Sequence, residues 1–301
     1  MTRSTPRSAP HLARRTFLAG AAALPAAASL PRWSWAQSHQ HHSFKLGDFE
    51  VTTLLAETRM VRDPHNIFGL NVDDETFAAV AAANGLDPKE TTFYFTPTLV
   101  NTGSELILFD TGTSRDAITN ALAAIGHTPE DIDRVVITHM HGDHIGGIGT
   151  DGDATFANAA HVTGADEMDH WDFSGDDGFE ARIRPMQDRF DVIGDGDAVA
   201  SGITAMAAFG HTPGHMAYHL ESAGQRLVLG ADFSNHFAFS LANPDWEMLF
   251  DADKAQAVAT RKKMLDMLAT DQVPLIGYHM PFPAHGHVER RGEGYAFTPI
   301  G

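Results

Sequence analysis

No cysteine occurs in this chain of 301 residues. That excludes disulfides, and it excludes a thiolate as a metal ligand, leaving nitrogen and oxygen donors. Basic residues are scarce: 21 Lys and Arg stand against 39 Asp and Glu, a formal net charge of −18. A surface that acidic repels nucleic acid and anionic lipid, so both are discounted as partners. Long apolar runs are absent beyond residue 36, and the run before it is too short for a membrane span. What remains is ordinary for a globular chain, 43% hydrophobic and 20% charged, and it excludes wholesale disorder. Such a length buries one large core or two small ones. Histidine stands out at 18 residues and, as the commonest side-chain metal ligand, raises a metal hypothesis. His39, His41 and His42 are set aside as part of a flexible stretch.

The first residues read as an export signal. Arg14-Arg15-Thr16-Phe17-Leu18 is a twin-arginine pattern, Ala19 to Leu30 is rich in Ala and Leu, and Ser34-Trp35-Ala36 offers small residues for cleavage. The expected organisation is a signal peptide over 1–36 and an enzyme domain over 37–301, with a periplasmic or secreted destination. Residues 1–36 carry five arginines and no acid, so their removal takes the net charge from −18 to −23. Twin-arginine export carries folded proteins, which suits an enzyme that takes up metal before leaving the cytoplasm.

Along the chain, Phe44–Thr58 alternates like a strand pair turning at Gly47-Asp48. Asp73–Ala83 reads as a capped helix, and Ser114–Ile125 as a helix with Ser114 as N-cap and Gly126 after its end. Thr92–Asn101 and Glu105–Asp110 read as a hairpin around Thr102-Gly103-Ser104. Further strands are expected at Asp133–Thr138, 160–163, Ile203–Phe209, Met216–Glu221, Arg226–Gly230 and Val273–Tyr278, and a helix at Asp253–Ala269. Asp166–Asp197 shows no clear period and is assigned to loop and short helix; the residues after Tyr278 are assigned to an irregular tail. Two successions of strands, helix and strand suit a sandwich of two sheets flanked by helices.

The decisive segment is His139-Met140-His141-Gly142-Asp143-His144. An extended backbone turns residues i and i+2 to the same side, so His139 and His141 can reach one ion; a helix would separate them by about 200°. Gly142 lets the chain turn so that Asp143 and His144 face a second ion. More ligands must come from elsewhere. The candidates end strands or sit in tight turns: His211 or His215 in Gly210-His211-Thr212-Pro213-Gly214-His215, Asp232 in Gly230-Ala231-Asp232, and His279 in Gly277-Tyr278-His279. Such a set suits zinc and also admits manganese, iron or cobalt. Two ions about 3.5–4 Å apart share a water, lower its pKa towards about 7 and polarise a scissile carbonyl or phosphoryl oxygen.

In this order, HMHGDH, GHTPGH, GAD and GYH resemble the metallo-β-lactamase superfamily, and Asp110-Thr111-Gly112 resembles its Asp-Thr-Gly element. The resemblance implies an α/β (α+β) fold, an αββα sandwich of two mixed β-sheets flanked by helices, with two metals at one edge. It implies that His139, His141 and His211 hold the first metal, that Asp143, His144 and His279 hold the second, and that Asp232 bridges them. Asp110 is then a brace and His215 a supporting neighbour, because the first histidine of the His-Thr-Pro-Gly-His run is the ligand in relatives. The catalytic carboxylates are Asp143 and Asp232, either of which orients the nucleophile or shuttles its proton.

An aspartate at 232 and the lack of cysteine speak against β-lactamases that use a thiolate. The segments Phe93-Tyr94-Phe95-Thr96-Pro97, Asn243-Pro244-Asp245-Trp246 and 278–283 are similar to methyl parathion hydrolase-like proteins. This resemblance implies a binuclear hydrolase of esters, lactones or organophosphate triesters. Phe237, Phe239, Trp246 and Phe282 are expected to line an apolar pocket for a small neutral substrate. An acyl-homoserine lactonase is the alternative, weakened because Phe233, Ser234, Asn235 and His236 stand where such enzymes often carry a tyrosine. A mononuclear iron persulfide dioxygenase is disfavoured by Asp143, His144 and His279, and a vestigial binding protein by the intact ligand set. A homodimer is left open.

Overall fold

The computed structural model describes residues 40–300; the expected signal peptide and His39 lie outside them. Strands β1 (His41–Leu46), β2 (Phe49–Leu54) and β3 (Glu57–Arg62) come first, then helix α1 (Asp74–Ala83) and strands β4 (Glu90–Phe95), β5 (Thr98–Asn101) and β6 (Leu106–Phe109). Helix α2 (Arg115–Ala124), β7 (Arg134–Ile137), the single turn α3 (Gly142–Ile145) and the small hairpin β8 (Gly149–Thr150) and β9 (Asp153–Ala154) lead to β10 (Ala160–Gly164). Helices α4 (Ala165–Asp172) and α5 (Asp177–Arg182) precede β11 (Phe190–Ile193), β12 (Ala198–Ala200), β13 (Ile203–Ala207), β14 (Met216–Ser222) and β15 (Gln225–Ala231). After the long helix α6 (Lys254–Asp271), strands β16 (Leu275–Gly277), β17 (His285–Arg291) and β18 (Gly294–Pro299) close the chain.

Two seven-stranded sheets result, ordered β1-β2-β5-β6-β7-β10-β11 and β12-β13-β14-β15-β16-β17-β18. Both are mixed: β6, β7, β10 and β11 run parallel, as do β15 and β16, while the remaining neighbours are antiparallel. Side chains of a strand alternate between faces. Ile107, Phe109, Val136, Leu227 and Leu229 accordingly fill the core between the sheets. Leu108, Val135 and Ile137 turn outward to meet Ile118, Ala121 and Leu122 of α2, spaced to form one helical stripe. Val228 and Leu275 meet Met264, Leu265 and Leu268 of α6 on the far side. Each such fully buried aliphatic contributes roughly 1.5–3 kcal/mol. Ser114, accepting from Ala117 N, and Asp253, accepting from Gln256 N, start the two helices as their residue types predict.

Four expectations are corrected. Thr92–Asn101 is not one strand: the chain leaves the sheet at Thr96-Pro97, and β4 pairs with β3 as a separate two-stranded arm. Proline lacks the N–H a continuous ladder needs. The tail is not irregular, because β17 and β18 form a hairpin at the sheet edge. In 166–197 the expected short helices are there as α4 and α5, and the correction is the edge strand β11. His41 and His42 belong to β1, paired with Leu54 and Thr53, and not to a flexible stretch.

Candidate metal centre

The centre forms where strands of both sheets end. β7 delivers Thr138 and then His139 and His141, and α3 begins at once with Gly142, turning Asp143 and His144 inward. Gly146 and Gly147 follow because a Cβ at either would strike the backbone oxygen of Thr113 or Thr111. Thr111 N and Oγ1 both donate to His144 O, pinning this turn to the Asp-Thr-Gly loop. β15 delivers Asp232, β16 delivers His279, and the turn between β13 and β14 delivers His211.

The seven side chains converge. One nitrogen each from His139, His141 and His211 lies within 4.8 Å of the others, and so do one ligand atom each, nitrogen or carboxylate oxygen, of His139, His144 and Asp232 and of Asp143, His144 and His279. His141 Nδ1 is 3.1 Å from His139 Nε2 and 3.0 Å from His211 Nε2. Asp232 faces both groups: its Oδ2 is 3.5 Å from His211 Nε2 and 3.1 Å from His279 Nε2, and its Oδ1 is 3.4 Å from His144 Nε2. Among the described residues, buried His144 Nε2 and Asp232 Oδ1 have no hydrogen-bond partner. Orphaned donors and acceptors of this kind are costly unless a ligand meets them. Lone pairs facing one another at these distances fit two divalent cations.

The backs of the imidazoles are held, which fixes the nitrogen presented forward. His144 Nδ1 donates to Asp110 Oδ2 at 2.8 Å, and His279 Nδ1 donates to Tyr94 O at 2.7 Å. Asp110 also accepts from Thr138 N and Oγ1, both at 2.9 Å, and adopts a left-handed φ of 60° to do so. His211 Nδ1 donates to Asp251 Oδ1 at 3.0 Å, and Arg261 of α6, fully buried, donates to Asp251 Oδ2 at 2.8 Å. Tyr278 OH donates to Asp143 O at 2.6 Å. His215 stands behind the centre, its Nε2 accepting from Asp232 N at 3.0 Å.

Electrostatics divides the centre. Burial, reinforced by neighbouring histidines, holds His139 well below its ordinary pKa and His141 at about 3. Burial also opposes charge on His144 and His279, but there carboxylates win. Asp110, Asp232 and Asp143 raise His144 well above its usual value, and Asp232 with Asp143 lifts His279 to about 10. Burial pushes Asp143 and Asp232 upward, yet His144 and His279 hold both below the usual carboxylate range.

A cavity of about 510 Å³ opens onto the centre. His141, Asp143, His211, Asp232 and His279 lie at its base, and Val61, Ile67, Phe93, Phe95 and Phe250 give it apolar walls. Arg59 reaches in over the Phe95 ring, 5.2 Å from its centroid. The expected pocket is corrected here. Phe239 and Trp246 are buried in the cluster beneath the β3–β4 arm, Phe237 faces a neighbouring cavity, and Phe282 lines neither. Sequence reasoning also missed Glu167, Asp251 and Arg261, whose hydrogen bonds brace the ligands. Arg261 had a legible signal, since it falls on the apolar stripe of α6 between Ala257 and Met264.

The metallo-beta-lactamase superfamily profile matches residues 96–274, more than half of the chain and every candidate ligand but His279. The chain is similar to the exodeoxyribonuclease WalJ of Streptococcus pneumoniae, 46% identical over 50 residues, which cover 17% of this chain and 19% of that protein. It is similar to an N-acyl homoserine lactonase from Bacillus sp, 25% identical over 180 residues, 60% of this chain and 66% of that protein. The chain thus spans less than two thirds of either relative. Among solved structures, AidC, a dizinc quorum-quenching lactonase, superposes with a TM-score of 0.80 at 24% identity, covering 87% of this chain and 98% of that one. The hydrolase AbOPH of the beta lactamase superfamily also gives 0.80, at 27% identity, covering 87% and 97%. At 24% identity the likeness to AidC is one of fold.

Proposed function

The chain belongs to the metallo-beta-lactamase superfamily, and within it we propose a two-metal hydrolase of lactones, with N-acyl homoserine lactones as the first substrate class. The observation that carries this reading is Asp232, a buried carboxylate between the two groups, its Oδ2 3.5 Å from His211 and 3.1 Å from His279 and its Oδ1 3.4 Å from His144. Among the esters, lactones and organophosphate triesters expected from the sequence, the similarity to the Bacillus lactonase favours lactones, the alternative reading of the sequence. His139, His141 and His211 would hold one ion, Asp143, His144 and His279 the other, with Asp232 between; zinc suits these donors. A bound divalent pair supplies Lewis acidity towards the lactone carbonyl and an activated water at neutral pH.

The chain's own residues supply the rest. Phe93, Phe95, Ile67 and Phe250 form an apolar wall that excludes water and seats a neutral, acyl-bearing substrate. Asp143 has 28% of its side chain exposed against 4% for Asp232, and it lines the cavity. Its carboxylate is therefore the one assigned to pass a proton to the leaving alkoxide, while Asp232 holds the ions. The acidic surface disfavours nucleic acid as substrate, and the WalJ match is confined to 50 residues.

A substrate panel tests the reading. Metal-reconstituted protein should open N-hexanoyl homoserine lactone with a kcat/KM at least about tenfold above those for an aryl ester, a paraoxon-type triester and a cephalosporin. One tenfold step corresponds to about 1.4 kcal/mol of transition-state preference. Cleavage of the triester or the cephalosporin alone would reject lactones as the substrate class.

A further inference from the structure

Glu167 is a carboxylate with no exposed surface, set in the first turn of α4 outside the ligand motifs. Its Oε1 accepts from Met140 N at 2.9 Å and Trp171 Nε1 at 2.6 Å, and its Oε2 accepts from Thr212 Oγ1 at 2.6 Å and Gly214 N at 3.1 Å. Met140 lies between His139 and His141, and Thr212 follows His211. One side chain thus ties together the two loops that carry the histidine trio. A Cβ on Gly214 would collide with the backbone of Glu167, so the turn approaches α4 closely enough for this bond only as glycine. Trp171 completes the arrangement, its ring edge-on to His141 at 5.8 Å between centroids.

None of these four bonds reaches the other half of the centre. His144 and His279 are held by Asp110 and by Tyr94 O, and Asp143 O by Tyr278; Asp110 reaches the trio only through Thr138 Oγ1, which donates to Asp110 and lies 3.1 Å from His139 Nδ1. We propose that Glu167 is a positioning residue of the His139–His141–His211 trio, tying its two loops together beside Asp251, which holds His211 Nδ1 directly, while Asp110 holds His144 in the other half. This rests on the two-metal reading. Four donors converge on the two Glu167 oxygens, three of them N–H groups that cannot become acceptors. A Glu167→Gln amide turns its NH2 towards one pair of donors, and whichever pair that is, at least one buried N–H loses its acceptor.

The test is metal affinity. Apo-protein is titrated with Zn2+ against a competing chelator, with tryptophan emission recorded beside it, so that each of two binding steps receives its own constant. Glu167→Gln should weaken one step about 10- to 100-fold, the range for losing a partner that orients a metal-ligating side chain. That step should be the one that changes Trp171 emission. Asp110→Asn, which loses the direct bond to His144 and only an indirect one to His139, should weaken the other step more than the emission-linked one. Should Glu167→Gln fail to fold, Thr212→Val removes one of the four bonds and should weaken the same step by a smaller factor. Equal weakening of both steps by either variant, or no change with Glu167→Gln, overturns the assignment while leaving the two-metal reading intact. Wild-type protein that binds no zinc rejects that reading and this assignment with it.

Discussion

The two halves of the centre sit side by side yet solve opposite electrostatic problems. In the trio His139, His141 and His211, burial and mutual proximity keep His139 and His141 from protonating, His141 down to about 3. In the other half, Asp110, Asp143 and Asp232 surround His144 and His279 and raise both, His279 to about 10. His139 and His141 offer lone pairs without charge, whereas the second half brings carboxylates that offset the charge of a cation. Each half draws two of its ligands from one loop of six residues, so the difference lies in what the rest of the fold packs against each imidazole.

Removing the group common to both halves should have the largest effect. Asp232→Ala should lower kcat/KM about 1000-fold or more and reduce bound metal, because both clusters lose a ligand atom; steady-state kinetics with elemental analysis measures this. Next comes a variant behind the trio, at the partner of Asp251. Arg261 donates to Asp251 and to the backbone oxygens of Phe233, Pro244 and Trp246. Arg261→Met leaves Asp251 buried without its cation, which costs about 3–5 kcal/mol and should lower the midpoint of urea unfolding. A midpoint unchanged by that variant would show that the buried pair does not brace this half.

His215→Ala should be milder. The ring supports Asp232 through a single backbone N–H, so a loss of about tenfold in kcat/KM with full metal content is expected. His211→Ala should lose metal as well; a reversal of the two outcomes would exchange their roles. The smallest effect lies outside both halves. Burial, with the nearby Arg189, holds His161 at about 4, below its ordinary 6.5. The unfolded chain then binds the extra proton between those values, so this contribution to stability declines as pH falls from 6.5 towards 4. His161→Leu should flatten the unfolding midpoint across that window relative to wild type, leaving the pH profile of hydrolysis unchanged.

The contrast between the halves was only partly visible in the sequence. His139, His141, Asp143 and His144 were legible because their geometry is local: alternate residues of an extended segment share a side, and a glycine turns the next two inward. His211, Asp232 and His279 could be found as strand-end residues, and the sheets followed from apolar alternation. What packs behind each ligand was not legible. Glu167 sits in a stretch without periodicity, and its burial depends on contacts with residues 140, 212 and 214. The cavity wall was misassigned for a related reason. Phe93 and Phe95 looked like part of one long strand, and only the break at Thr96-Pro97 releases β4 to the arm that places them over the centre. Phe239 and Trp246, aromatic and close to Asp232 in sequence, pack instead against Phe77.

The most direct measurement is a metal count on folded, purified protein, with hydrolysis of the proposed lactone substrate followed through chelation and zinc return. The account predicts two divalent ions per chain, and activity that disappears with them and is restored by zinc. A folded chain that holds no metal, or one iron and no more, would contradict it.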